Sequence, residues 1–78
     1  MARYFFHLHN SELACDEEGK ELPDLEAARA EAIKAARELM GEDLRQGHLN
    51  LRHYIEIKSA DGGERLVVRF EDAVVIQR

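Results

Sequence analysis

The stretch from Asp24 to Gln46 leaves the chain least freedom, because its spacing fits one structure, a long amphipathic helix. Leu25, Ala28, Ala32, Ala36, Leu39 and Met40, with Ile33 and Leu44 beside them, recur every three or four residues and line one side. Glu26, Glu31, Lys34, Arg37, Glu38, Glu42 and Arg45 take the other side, where Glu31 with Lys34 and Lys34 with Glu38 are spaced for weak ion pairs. Asp24 is the expected N-cap, since its carboxylate can accept from free amides of the first turn, and Glu26 adds negative charge at the positive end of the helix dipole. Pro23 belongs to chain that is not yet helical, and Gly47 suits the left-handed residue that closes a helix. Gly41 is the misfit, costing about 1 kcal/mol against alanine, and it marks a bend, an early stop or close packing.

Short strand-like segments flank this helix. Arg3 to His9 alternates Tyr4, Phe6 and Leu8 with Arg3, Phe5, His7 and His9, the period of a strand. Asn10-Ser11 reads as a two-residue hairpin loop, which sets Leu13 opposite Leu8 and Cys15 opposite Phe6. Asp16-Glu17-Glu18-Gly19 follows as an acidic turn, and Leu22-Pro23 leads into the helix. Beyond a loop at His48 to Leu51, strands are expected at about Arg52–Ser59 and Glu64–Phe70, joined at Asp61-Gly62. That loop places Ile57 opposite Leu66, Ile55 opposite Val68 and His53 opposite Phe70; a slip of one residue would set Ile55 against Arg69 and mix the faces. Val74 to Ile76 either extends the last strand past a bulge at Glu71-Asp72 or forms a short strand of its own.

The expected fold is therefore one α+β domain over residues 1–78, with strand, strand, helix, strand, strand building a four-stranded antiparallel sheet. Its strand order is 2-1-3-4, with strand 1 central and the helix across one face, as a right-handed crossover requires. Seventy-eight residues lie near the lower limit for a single core, which makes dimerisation a natural aid to stability. With 45% hydrophobic and 35% charged residues, the chain is a folding one and not a disordered one. One cysteine forms no internal disulfide, and neither a secretory signal nor a membrane-spanning run is evident, so a reducing cytoplasm is expected.

The opening Arg3-Tyr4-Phe5-Phe6, the acidic Asp16-Glu17-Glu18-Gly19 and the run Glu21-Leu22-Pro23-Asp24-Leu25-Glu26-Ala27-Ala28 resemble a family of short bacterial proteins, common in rhizobia and their relatives, known only as a domain of unknown function. The likeness spans nearly the whole chain. It implies a fold and a bacterial cytoplasmic origin, and it brings no catalytic or binding residue. Such sequences often have glycine after the first strand, where this chain has Ser11.

No motif names a reaction. A nucleophile elbow, a glycine-rich phosphate loop and a zinc-protease helix are all missing from the sequence, so a non-catalytic protein without a cofactor is expected. His7 and His9 share a side of strand 1, but a metal site needs further ligands: His53 is assigned to the other face, His48 to a distant loop and Cys15 to the core. Cys15 reads as inert, because the acids beside it would raise a thiol pKa. The run around Asp16 lacks the alternating oxygens of a calcium loop.

The remaining place for a function is the sheet face away from the helix. It carries Arg3, Phe5, His7 and His9, then Tyr54, Glu56 and Lys58, then Arg65, Val67 and Arg69. Phe5, His7, Tyr54 and Val67 form the expected contact surface, with Arg3, Lys58, Arg65 and Arg69 around them. Lys58 opposite Arg65 is a like-charge pair that needs an acid such as Glu56 or Glu64 to offset it. One reading is a solvated face; another is a protein interface, most simply of a homodimer packed sheet to sheet or extended edge to edge. Aromatics on a basic sheet also suit nucleic acid, and the Leu22-Pro23-Asp24 start of an Ala- and Glu-rich helix is similar to that of small partial-RNase-H-like antitoxins. The net charge of −5 argues against nucleic acid and anionic membranes, although Glu12 to Asp43 carries eleven acids against four bases, leaving the strands net basic.

Overall fold

Antiparallel pairing holds the chain together from its first strand outward. The computed structural model describes residues 1–77, in the order β1 (Ala2–His9), β2 (Leu13–Ala14), β3 (Lys20–Leu22), α1 (Leu25–Arg45), β4 (Tyr54–Ser59) and β5 (Arg65–Arg69). The sheet has five strands, with β2-β1-β4-β5 as its path and β3 also paired to β1. The expected order is thus kept, but the expected second strand is two short ones. Both lie on the same edge of β1, β2 at its end (Leu8 opposite Ala14, His9 opposite Leu13) and β3 at its start (Ala2 opposite Leu22, Tyr4 opposite Lys20).

The first hairpin differs from expectation by one residue. Leu13 lies opposite His9, not Leu8, because three residues, Asn10 to Glu12, make the turn. The cause is the Asn10 side chain, whose Oδ1 accepts from Glu12 N at 2.9 Å. Among the described residues no non-glycine residue adopts positive φ, so the two-residue turn, which needs it, does not form. Since strand side chains alternate, the shift turns Leu13 to the open face, where it is 59% exposed. Cys15, expected in the core opposite Phe6, is exposed.

The second hairpin keeps its expected register, with Ile57 opposite Leu66 and Ile55 opposite Val68, and Phe70 N donates to His53 O at 2.8 Å. Its connection is longer than two residues. Ser59 N donates to Glu64 O, and Asp61 organises the intervening turn by accepting from Ser59 Oγ and Gly63 N. These donors hold the Asp61 carboxyl below the usual range, the Ser59 hydroxyl most of all. After β5 the chain leaves the sheet in a 3-10 turn, Phe70–Ala73, so Val74 to Ile76 neither extends β5 nor forms a strand.

The helix starts as its sequence requires: Asp24 Oδ1 accepts from Ala27 N at 2.8 Å. It ends at Gly47, whose φ is +89°. Ala28, Ala32, Ala36 and Met40 are buried, whereas Leu44, expected in the stripe, is 59% exposed. Gly41 stays helical, and a β-carbon there would meet nothing within 4 Å, so it marks neither a stop nor close packing. The small alanines face Tyr4, Ile55, Ile57, Val68 and Phe70, which with Ala73 complete the core. Fully burying each large side chain is worth roughly 1.5 to 3 kcal/mol before entropy is subtracted. Tyr4, 1% exposed, donates its hydroxyl to Glu64 Oε1 at 3.1 Å. Burial, and then that carboxylate, push its pKa up. Lys20 and Glu31 tie β3 to α1 at 3.1 Å, and Arg37 Nε donates to Ala73 O at 2.7 Å.

Candidate interaction face

With Tyr4, Phe6 and Leu8 turned to the helix, alternation sends Arg3, Phe5, His7 and His9 to the opposite face. Register then aligns rows across three strands. Phe5 lies beside Lys58 and Arg65, His7 beside Glu56 and Val67, and His9 beside Tyr54 and Arg69. All eight side chains expected at the contact surface (Arg3, Phe5, His7, Tyr54, Lys58, Arg65, Val67 and Arg69) belong to this one face, opposite the helix, and the Asp16–Gly19 loop touches its edge at His7 and Phe5. Leu13 joins them beside His9 through the altered first hairpin.

Glu56 organises the centre. Only 9% exposed, it accepts from Arg65 Nε at 2.5 Å and from His9 Nε2 at 3.3 Å, with Lys58 Nζ 3.9 Å away. The Arg65 hydrogen bond does most to hold its carboxyl below the ordinary range; burial opposes this, and His9 and Lys58 add to the lowering. The like-charge pair of Lys58 and Arg65 is thereby offset. His9 is fixed further by stacking on Tyr54, with ring centroids 4.4 Å apart and planes 9° from parallel. Phe5 and His7 are also nearly parallel, at 6.4 Å.

The remaining cations have acids of their own. Arg3 lies 3.5 Å from Glu21, and Arg69 lies 3.6 Å from Glu71. Alternation along β4 assigns Glu56 to this face, but the three neighbours it collects appear only in the folded chain. The available signal was its position between two basic residues, Lys58 on its own strand and Arg65 diagonally across. The stacking of His9 on Tyr54 was legible only as a cross-strand position.

Along the outer edge of β1, between β2 and β3, Asp16 takes the place of a strand. Its Oδ2 accepts from Phe6 N at 3.2 Å, its Oδ1 accepts from Glu18 N and Gly19 N at 3.1 Å each, and its own N donates to His7 Nδ1 at 3.1 Å. Partial burial would raise the carboxyl pKa, but the three amides outweigh it and lower the value. His7 and His9 therefore spend one ring nitrogen each on different partners, Asp16 and Glu56. Among the described residues, no three His, Cys, Asp or Glu side chains form a group that could hold a metal ion.

Two clefts lie elsewhere. One, of about 200 Å³, sits between the first hairpin loop and the end of α1 and brings Asp43, His48 and His53 around Leu8, Leu39 and Phe70. The other, of about 290 Å³, opens over Phe6 beneath the Lys20–Glu31 pair. Neither contains any of the expected contact residues. Among the described residues no helix is long and apolar enough to cross a membrane.

No curated protein and no solved structure matches the chain. A family described as a domain of unknown function, DUF6894, matches residues 3–71. That span covers most of the chain, which therefore belongs to this family, in agreement at that level with the resemblance carried by the Arg3-Tyr4-Phe5-Phe6 and Glu21-Leu22-Pro23-Asp24 motifs.

Proposed function

We propose that this DUF6894 domain is a small non-catalytic interaction module that pairs with a second copy of itself through the open sheet face. The carrying observation is the charge state of that face. Each of its basic side chains, Arg3, Lys58, Arg65 and Arg69, already has an acid of its own chain within 2.5 to 3.9 Å. The apolar and aromatic side chains of the face, exposed Leu13 with half-buried Phe5, Tyr54 and Val67, form a strip interrupted by these pairs, so a second copy would meet apolar surface without a large unbalanced charge. Burying such a strip also offsets the small core of a short chain. The exposed free thiol of Cys15 fits a reducing compartment, which supports a cytoplasmic setting.

The way two copies meet follows from β5. Glu64 and Phe70 bond inward to β4, so alternation points the backbone groups of Arg65, Val67 and Arg69 outward. Antiparallel pairing of two β5 edges about Val67 would set Arg65 opposite Arg69 of the second copy twice, a like-charge arrangement that costs stability. Packing face to face avoids it.

Sedimentation equilibrium tests the reading. The wild type is expected to be dimeric, and Leu13→Glu and Phe5→Glu monomeric; a wild type that stays monomeric at high concentration would sink it. Leu13 is the cleaner probe, because its exposure lets the substitution spare the fold. The second reading, a nucleic-acid-binding or antitoxin-like regulator, draws on the same aromatics and cations. It predicts salt-dependent binding of single-stranded RNA or DNA, whereas the paired cations and the net charge of −5 lead us to expect none at ~50 mM salt.

A further inference from the structure

The geometry points to the Cys15–Gly19 loop being a pH-sensitive latch on β1, tightened by the unprotonated Nδ1 of His7 and loosened when that nitrogen takes a proton. Between β2 and β3 the chain has no strand pairing to β1. Its attachment there is a reciprocal pair of hydrogen bonds, with Phe6 N donating to Asp16 Oδ2 at 3.2 Å and Asp16 N donating to His7 Nδ1 at 3.1 Å. The second bond needs a lone pair on Nδ1, and an imidazolium has none, because both its nitrogens carry hydrogen. Imidazoles ordinarily change charge within the physiological pH range, which no other side chain does without help from its surroundings.

Protonation would set the N–H of His7 against the N–H of Asp16 and leave that amide without its partner. The groups facing His7 are the Asp16 carboxylate in the loop and Glu56 opposite on β4, with Arg65, Lys58 and His9 gathered around Glu56; the Phe5 ring and Val67 complete its surroundings. Release would be felt at the far end of the loop, which fits tightly. Gly19, at φ +72°, lies so close to β1 that a β-carbon there would sit 2.9 Å from Tyr4 O and 3.0 Å from Phe5 Cε1. Phe6 N, donating to Asp16 Oδ2, and Arg3 Nη1, donating to Glu18 O at 2.6 Å, would then be the remaining tethers. Loosening would free the Asp16 amide and relax the contact of the loop with the Phe5 ring. This holds for a monomer or a dimer, so it stands or falls apart from the proposed self-association.

Amide hydrogen exchange of the full chain, read by two-dimensional NMR at about pH 7.5 and about pH 5.5, tests the latch. Protection factors, corrected for intrinsic rates, should fall about tenfold at Asp16 between the two conditions, as expected for losing one hydrogen bond, while Ile57 in the core stays unchanged. In His7→Asn the side-chain oxygen can stand where Nδ1 stood and does not titrate, so protection at Asp16 should not vary with pH, whatever its absolute level. The ring nitrogen shifts of the wild type should show Nδ1 unprotonated at the higher pH. Equal protection of Asp16 at both pH values, the same fall in His7→Asn, or a protonated Nδ1 at the higher pH would each overturn the proposal.

Discussion

Glu56 bears on both stability and function at the scale of single residues. Its folded pKa is depressed, so it stabilises the fold above its ordinary unfolded value and loses that contribution as pH falls through the lower folded value. Asp16, depressed as well, acts in the same direction. Urea midpoints of the wild type should therefore drop steeply below about pH 4.5, and Glu56→Gln should flatten that drop. At neutral pH the same substitution should cost about 1 to 2 kcal/mol, because Arg65 and His9 lose a charged acceptor. Gly41 gives the opposite sign. It sits in the helix with open space beside it, so Gly41→Ala should raise stability by about 1 kcal/mol, seen as a higher denaturation midpoint at unchanged slope. The helical cost of Gly41 was legible in the sequence; its lack of a packing role needed the space around it.

Elements divide by how strongly neighbouring side chains dictate them. The helix was readable nearly to its ends, because its apolar period, the Asp24 cap and Gly47 all agree. Asp24→Ala should cost about 0.5 to 2 kcal/mol by removing the acceptor of Ala27 N, a loss that thermal unfolding followed by circular dichroism would detect. The β4–β5 register was equally readable, since a slip would bury Arg69 in place of Val68. The β1–β2 register was not. Leu13 and Cys15 looked like core partners for Leu8 and Phe6, yet a side-chain hydrogen bond at Asn10 sets the turn and sends both outward. The split of the expected second strand was hidden for a similar reason: Asp16 satisfies the Phe6 amide through its side chain, which no period of apolar residues records.

At the scale of the whole molecule, the described residues form one α-helix and five strands, a two-layer body in which the helix covers one sheet face. The eight expected contact residues were placed on the open face by alternation and by the β4–β5 register, both readable without coordinates. Their charge state was not readable. Four cations in a sequence suggest a basic surface, whereas Glu21, Glu56 and Glu71 take them up once the chain folds. This pairing is what favours, in the proposed function, a second copy of the domain over a polyanion. In the proposed dimer the open face is where two copies meet. The most direct measurement is isotope-filtered NOE spectroscopy on an equimolar mixture of carbon-13-labelled and unlabelled protein. The account predicts contacts between protomers from the methyl groups of Leu13 and Val67 to the rings of Phe5 and Tyr54. Filtered contacts that arise instead from the exposed side of α1, or none at all in a concentrated sample, would contradict it.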